Sequence, residues 1–197
     1  MSERDTDDGK ARISRVSTRS GDGGEAGLAD GSRAPKDAPR FAALGDVDEL
    51  NAQIGLLRAA LVEDDELTPL LADLQQRLFD VGGALSLPGT VRFDADAVTE
   101  LDAALTQWNA TLPELANFVL PAGDEATARA HVARTVCRRA ERTLVTLTRA
   151  EPGVDDANLL AWLNRASDLL FVLARVLARR SAGEVLWQPR PAAEGDV

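Results

Sequence analysis

Leucine, isoleucine and valine recur along most of this chain at alternating steps of three and four, the spacing of a helix that buries one stripe. Leu44, Val47, Leu50, Ile54, Leu57 and Leu61 predict a first helix over roughly 41–62. Thr68-Pro69 reads as an N-cap with proline at the first helical position, opening a second helix. Leu71, Leu74, Leu78 and Val81 carry that helix to the Gly82-Gly83 pair. Asp94 caps a third helix, with Val98, Leu101, Leu105 and Trp108 inward and Pro113 as its stop. A fourth covers roughly 124–149. A fifth, over roughly 155–181, shows Leu159, Leu163, Leu170, Leu173 and Leu177 and ends near Gly183. No stretch alternates convincingly with the period of a strand. The expected fold class is all-α, a five-helix up-and-down bundle.

The flanks read differently. Residues 1–12 are charged and aperiodic, as a disordered tail is. Residues 13–40 are rich in Gly, Ser, Asp and Pro, too long for a mere connection in a compact domain. That stretch is therefore either a flexible tail or a binding loop, ahead of a bundle over 41–182. Beyond Gly183, Val185-Leu186-Trp187 forms an apolar patch expected to pack back on the bundle or on a neighbouring subunit. The single domain is placed at 13–190, with 191–197 a flexible C-terminus.

The chain has 197 residues, enough for one domain with a sizeable core. Hydrophobic residues make up 45%, which favours a packed core over disorder. No apolar run is long enough to span a bilayer, and the polar start MSERDTDDGK is no secretory signal, so no membrane partner is expected. Cys137 is the single cysteine; it has no internal disulfide partner and fits a reducing cytoplasm. The formal net charge of −10 argues against a nucleic-acid partner, whose phosphates call for a basic surface. Of the 22 Lys and Arg residues only Lys10 and Lys36 are lysines, a pattern equally suited to a high-salt cytoplasm or to a coding bias. In so acidic a chain a local cluster of arginines is informative.

That cluster lies in Val136-Cys137-Arg138-Arg139-Ala140-Glu141-Arg142 of the fourth helix. Helical spacing puts Arg134, Arg138, Glu141 and Arg142 on or near one side, beside an apolar stripe of Ala133, Val136, Cys137, Ala140 and Leu144. Such a ledge is either a solvated face or a seat for a polyanion such as triphosphate, because guanidinium forks make charge-assisted bonds to phosphate oxygens.

Four further segments carry candidate chemistry. Between Thr18 and Lys36, consecutive glycines let backbone N–H groups turn toward a phosphate, and Thr18, Ser20 and Lys36 add side-chain donors. GxxxxGK[ST] is absent, so this is no P-loop, and Asp22 with Asp30 is too sparse for a calcium loop. In Gly45-Asp46-Val47-Asp48-Glu49-Leu50-Asn51, an inward Asp48 would need a cation that the ledge can supply; otherwise the segment is a solvent-facing acidic turn. Asn164 and Asp168 stack one turn apart in the fifth helix, as readers of a base or ribose or as a polar stitch between helices. Phe118, ahead of Pro121-Ala122-Gly123, is a hydrophobic staple or an apolar wall for a flat ligand. His131 is the single histidine, so a cage of histidines around a metal is excluded, and it reads as structural.

Six of these motifs stand in one order and spacing. They are Thr18-x-Ser20-Gly21-Asp22-x-Gly24, Gly31-x-Arg33-x-x-Lys36, Asp48-Glu49-Leu50-Asn51 and Phe118-Val119-Leu120-Pro121, then Arg134-x-Val136-x-Arg138-Arg139-Ala140-Glu141-Arg142 and Leu163-Asn164-Arg165-x-Ser167-Asp168. Together they resemble the PduO-type ATP:cob(I)alamin adenosyltransferases, over nearly everything from Ile13 to Trp187. The resemblance implies a homotrimer of five-helix bundles with active sites between subunits. It implies ATP contacts from Thr18, Arg19, Ser20, Gly21, Asp22, Gly24 and Lys36, and from Arg138, Arg139, Glu141, Arg142 and Asn164, with Mg²⁺ held by the phosphates rather than by a protein metal site. It further implies an Asp48–Arg134 pair across the interface and Phe118 crowding the lower face of the corrin.

The implied reaction transfers the 5′-deoxyadenosyl group of ATP to cob(I)alamin, giving adenosylcobalamin and triphosphate. The corrinoid supplies the nucleophile, so no catalytic His or Cys is called for. A corrinoid reductase and an adenosylcobalamin-dependent client enzyme are possible partners. Two departures from the family pattern are present: Ala26 replaces a usual Ser or Thr, removing one hydroxyl, and Ala166 replaces a usual Leu. The alternative is a non-catalytic protein of the same fold that binds or delivers ATP or adenosylcobalamin.

Overall fold

The computed structural model describes residues 19–87, 93–151, 153–154 and 157–189. Five helices dominate it: α1 (Pro39–Ala59), α2 (Thr68–Ser86), α3 (Ala95–Asn109), α4 (Glu125–Ala150) and α5 (Ala157–Arg180). The all-helical expectation holds for the bundle. One correction concerns the N-terminal arm, where two three-residue strands, β1 (Glu25–Gly27) and β2 (Arg33–Pro35), pair antiparallel with Ala26 opposite Ala34. Three residues are too few to show alternation. The turn carried the readable signal: Gly31 takes φ +84°, and Leu28 N–H donates to the Ser32 carbonyl at 2.8 Å.

The helices begin and end where local chemistry dictates. α1 starts at Pro39, two residues earlier than the leucine pattern alone suggests, because proline suits a first helical turn. α2 opens at Thr68 but is not capped by it; Asp65 instead accepts the Leu67 N–H at 2.9 Å, and the helix runs through Gly82-Gly83 to Ser86. Asp94 caps α3 through Asp96 N–H, and Asp124 caps α4 through Thr127 N–H at 2.8 Å. α5 is closed by Gly183 at φ +93°, whose N–H returns to the Ala178 carbonyl at 2.8 Å.

Packing follows the apolar stripes. α4 lies centrally against α1 and α5; α2 flanks α1, and α3 flanks α5. Leu50, Ile54 and Leu57 of α1, Leu74 and Leu78 of α2, Leu144 and Leu147 of α4, and Leu163, Leu170 and Leu173 of α5 form one continuous core. Trp162 is buried within it, edge-on to Phe93 with ring centroids 5.7 Å apart. Arg77 of α2 reaches Glu100 of α3 at 2.9 Å, linking the two flanking helices. The buried Arg40 donates to the Leu85 carbonyl and pairs with Glu151, tying the start of α1 to the ends of α2 and α4. Among the described residues no helix is long and apolar enough to cross a membrane.

Candidate functional site

The arginine run of α4 divides by helical angle. Arg139 faces α1: its Nε donates to Asp46 Oδ1 at 3.0 Å and its Nη2 to Glu49, while Thr143 donates to Asp46 Oδ2 at 2.5 Å. Arg138 and Arg142 point away from α1 into solvent; Arg142 Nη1 donates to the Arg138 carbonyl at 3.0 Å. Neither has a carboxylate partner among the described residues. Glu141 sits between them, half-buried, and accepts from Asn164 Nδ2 of α5 at 3.2 Å. Asn164 Oδ1 in turn accepts from Arg165, which is anchored by Asp102 of α3 at 3.0 Å. The ledge is thus two guanidinium groups without carboxylate partners among the described residues, with an amide–carboxylate bond between Asn164 and Glu141 beside them.

One turn earlier on α4, Arg134 lines a cavity of about 530 Å³ with Leu115, Ala116, Asn117, Phe118, Val119 and Phe171. Its guanidinium carbon lies 5.9 Å from the centre of the Phe171 ring, a cation–π contact, and its buried Nε has no hydrogen-bond partner among the described residues. Burial, and then the neighbouring charge of Arg138, lowers the Arg134 pKa below the usual guanidinium value. A cation held in partly apolar surroundings with spare donor capacity is poised to take an anionic partner. Phe118 stands on the same cavity, 78% exposed, so it is not a staple for the following helix.

Asp48, the acidic residue the spacing points to, is exposed and makes no salt bridge among the described residues. Within the chain the acidic residues of α1 that meet α4 are Asp46 and Glu49, one on each side of Asp48, and both pair with Arg139 rather than with the ledge. Asn51 is tied to α2: its Nδ2 donates to the Gln75 carbonyl, and Gln75 Nε2 donates to Asn51 Oδ1 at 2.9 Å. Asp168 is exposed one turn from Asn164.

The arm folds on itself. Arg19 takes φ +58° and Asp22 N–H donates to its carbonyl. Gly24, at φ +85°, accepts the Lys36 N–H at 2.8 Å. A Cβ on Gly21 would lie 3.0 Å from Lys36 Nζ, so the ammonium hangs directly over the glycine turn. The Ser20 carbonyl accepts from Arg33 Nη2 at 2.8 Å. Thr18 lies outside the described residues. Among the described residues β1 and β2 make no more than marginal contact with any helix, so these strands do not reach the ledge of their own chain.

His131 is buried, 6.4 Å from the Phe171 ring, with neither ring nitrogen hydrogen-bonded among the described residues. Burial first, and Arg134 second, lowers its pKa and keeps the imidazole neutral. Burial raises the Cys137 thiol well above its usual value, so it is unreactive, with its Sγ donating to the Leu163 carbonyl at 3.2 Å. No group of three or more His, Cys, Asp or Glu able to hold a metal occurs among the described residues.

Two parts of this neighbourhood escape the leucine pattern. Residues 117–120 pair with 185–187 beyond α5: Val119 bridges Leu186, Leu120 N–H donates to the Val185 carbonyl, and Trp187 N–H donates to the Phe118 carbonyl, each bond 2.8 Å. Arg175 is buried in α5 and pairs with Glu184 at 2.5 Å. The available signal was a lone charge, Arg175, inside the apolar run Phe171-Val172-Leu173-Ala174-Arg175-Val176-Leu177.

A helical bundle that displays guanidinium groups without carboxylate partners beside a cation-bearing, aromatic-walled cavity has the chemistry to receive an anionic ligand. Comparison with known proteins makes the class specific. A profile described as cobalamin adenosyltransferase matches residues 16–177. The chain is 51% identical over 178 residues to a cobalamin adenosyltransferase of Cupriavidus metallidurans, covering 90% of this chain and 96% of that one. It is 40% identical over 187 residues to a corrinoid adenosyltransferase of Mycobacterium leprae, covering 90% and 97%. Among solved structures, a phenylalanine-to-alanine variant of a PduO-type ATP:corrinoid adenosyltransferase from Lactobacillus reuteri, complexed with cobalamin and ATP, superposes with a TM-score of 0.83. That likeness is at 30% identity over 89% of this chain and all (100%) of the other. An arginine-to-lysine variant of the same enzyme, complexed with ATP, gives a TM-score of 0.82 at 31% identity. The chain belongs to the cobalamin adenosyltransferase family.

Proposed function

We propose that this protein transfers the 5′-deoxyadenosyl group of ATP to the cobalt of a reduced corrinoid, releasing triphosphate. Cobalt(I) supplies the electron pair of the new Co–C bond; the C5′–O bond breaks and its pair leaves with the triphosphate. The protein's task is to align the two centres and to stabilise the departing charge. The observation that carries this reading is the cavity that brings Arg134 and Phe118 together one helical turn from the uncommitted Arg138.

In this reading Arg138 and Arg142 bind the triphosphate, with Glu141 and Asn164 reading the nucleoside end and Arg139 anchoring the ledge to α1. Arg19, Ser20, Gly21, Asp22, Gly24 and Lys36, with Thr18, wrap the phosphates from the other side. Magnesium enters with those phosphates, its usual route to a nucleotide site. Because the hairpin leaves its own bundle free and the ledge is exposed, arm and ledge meet when chains associate, as a homotrimer with sites between subunits. There Asp48 of one chain answers Arg134 of the next, which offers a buried donor without a partner of its own. Phe118 presses on the lower corrin face, expelling the lower cobalt ligand and easing reduction of cobalt(II) to cobalt(I). A cytoplasmic location, a corrinoid reductase and an adenosylcobalamin-dependent client belong to the same reading; Cys137, buried and unpaired, is compatible with a reducing compartment.

The test is to mix the protein with ATP, Mg²⁺ and chemically reduced cobalamin and to follow the cob(I)alamin absorbance. Decay to the adenosylated product is expected. A signal that never decays overturns catalysis, and ATP binding without turnover supports the delivery role instead.

A further inference from the structure

We propose that Glu184 is a positioning residue for this site: it latches the segment after α5 to the bundle, and that segment holds Phe118 in place. The proposal rests on the corrinoid reading of the cavity.

Glu184 is a carboxylate with a side chain only 9% exposed, and each of its oxygens meets a different arginine of α5. Arg175 Nε donates to Oε1 at 2.5 Å, and Arg179 Nη1 lies 3.5 Å from Oε2. Arg175 also donates through Nη2 to the carbonyl of Pro113 at 2.8 Å. One guanidinium therefore touches the chain just ahead of both paired segments, at Pro113 before 117–120 and at Glu184 before 185–187. Two buried opposite charges with fixed geometry form a directional joint rather than general adhesion.

From that joint, residues 185–187 run antiparallel to 117–120. The Phe118 peptide is held on both sides: its carbonyl accepts from Trp187 N–H at 2.8 Å, and its N–H donates to Asn117 Oδ1 at 2.8 Å. Asn117 Nδ2 donates in turn to the Trp187 carbonyl at 2.7 Å. The Trp187 ring meets the Phe118 ring edge-on, centroids 6.2 Å apart. Phe118 is 78% exposed and Trp187 44%, so neither ring is fixed by burial in the core. The direction of the Phe118 side chain is set by this two-strand clasp, and the clasp is set by Glu184.

The experiment compares Glu184→Gln and Trp187→Ala with the unaltered full-length protein. Hydrogen exchange at the Leu120 and Trp187 amides reads the clasp directly and needs no substrate; Glu184→Gln is expected to speed it roughly tenfold. The second readout is the absorption change of cob(II)alamin with ATP as it loses its lower ligand. Both variants should show markedly less of that change, while transfer to prereduced cobalamin stays within about twofold because the ATP ledge is untouched. Unchanged amide exchange in Glu184→Gln overturns the latch. Faster exchange with a full spectral change shows that the clasp does not position Phe118 and overturns the proposal equally. If Glu184→Gln does not fold, Trp187→Ala decides: a full spectral change without the Trp187 ring rejects the clasp. Failure of the unaltered protein to adenosylate would instead remove the corrinoid reading, leaving the exchange result to judge the latch alone.

Discussion

Arg139 and Asp46 are joined at 3.0 Å across the α1–α4 interface, whereas Arg138, its neighbour in sequence, faces solvent. Adjacent arginines thus have different work. Arg139→Ala removes two partly exposed ion pairs, to Asp46 and Glu49, so its stability cost is modest, about 1 kcal/mol or some 2–4 °C in Tm. Arg138→Ala should leave Tm and helix content unchanged, since alanine is a good helix former, and weaken ATP by roughly tenfold or more. Calorimetric titration with ATP and thermal melts on both variants check this. Wild-type ATP affinity in Arg138→Ala would undo the ledge assignment.

Phe118→Ala alters an exposed ring and should fold normally. Its loss is expected in reduction of cobalt(II) to cobalt(I), with transfer to chemically prereduced corrinoid much less affected. Running both assays side by side separates the steps. Equal losses in the two would reject the proposed crowding of the corrin face.

His131 gives a pH signature. Its folded pKa lies below the unfolded value near 6.5, so the unfolded chain binds the extra proton first and stability falls as pH drops below about 6.5. The contribution is fully present above that pH. One proton sets the limit, about 1.4 kcal/mol per pH unit. Urea melts from pH 7.5 to 5 should show a shallower decline in His131→Leu than in the unaltered protein. Parallel declines would mean that the imidazole is not held neutral.

Gly123→Ala tests the entry to α4. Gly123 takes φ +140°, and a Cβ there would lie 2.8 Å from Thr127 Cγ2, on a side chain that is itself fully buried. Strain and overlap together should cost about 2–4 kcal/mol, a large fall in Tm. A shift under 1 °C would contradict the backbone geometry.

The bundle was legible because its signal is redundant: α5 buries Leu159, Leu163, Leu170, Leu173 and Leu177, and any one of them could change without hiding the period. The hairpin in the arm was not, since Glu25–Gly27 and Arg33–Pro35 are short and mostly solvent-facing. Among candidate site residues, spacing placed Arg138 and Arg142 on an open face and offered Asn164 as a possible polar stitch between helices, whose partner, Glu141 of α4, only the structure names. It did not show that Asp46 and Glu49, rather than Asp48, meet α4 within the chain, because the apolar stripe of α1 fixes the inward positions but not which flanking carboxylate an arginine reaches. Nor did periodicity reveal the pairing of 117–120 with 185–187, a contact set by tertiary geometry between segments far apart in sequence.

The claim on which the account turns is that one site is completed by the arm of one chain and the ledge of another. Co-expressing Lys36→Ala and Arg138→Ala subunits with different tags, and purifying oligomers that carry both, measures this directly. Each variant alone should be nearly inactive in adenosylating cob(I)alamin, and the mixed oligomers should recover part of the activity of the unaltered protein, since some interfaces pair an intact arm with an intact ledge. Mixed oligomers no more active than either parent would contradict a site shared between chains.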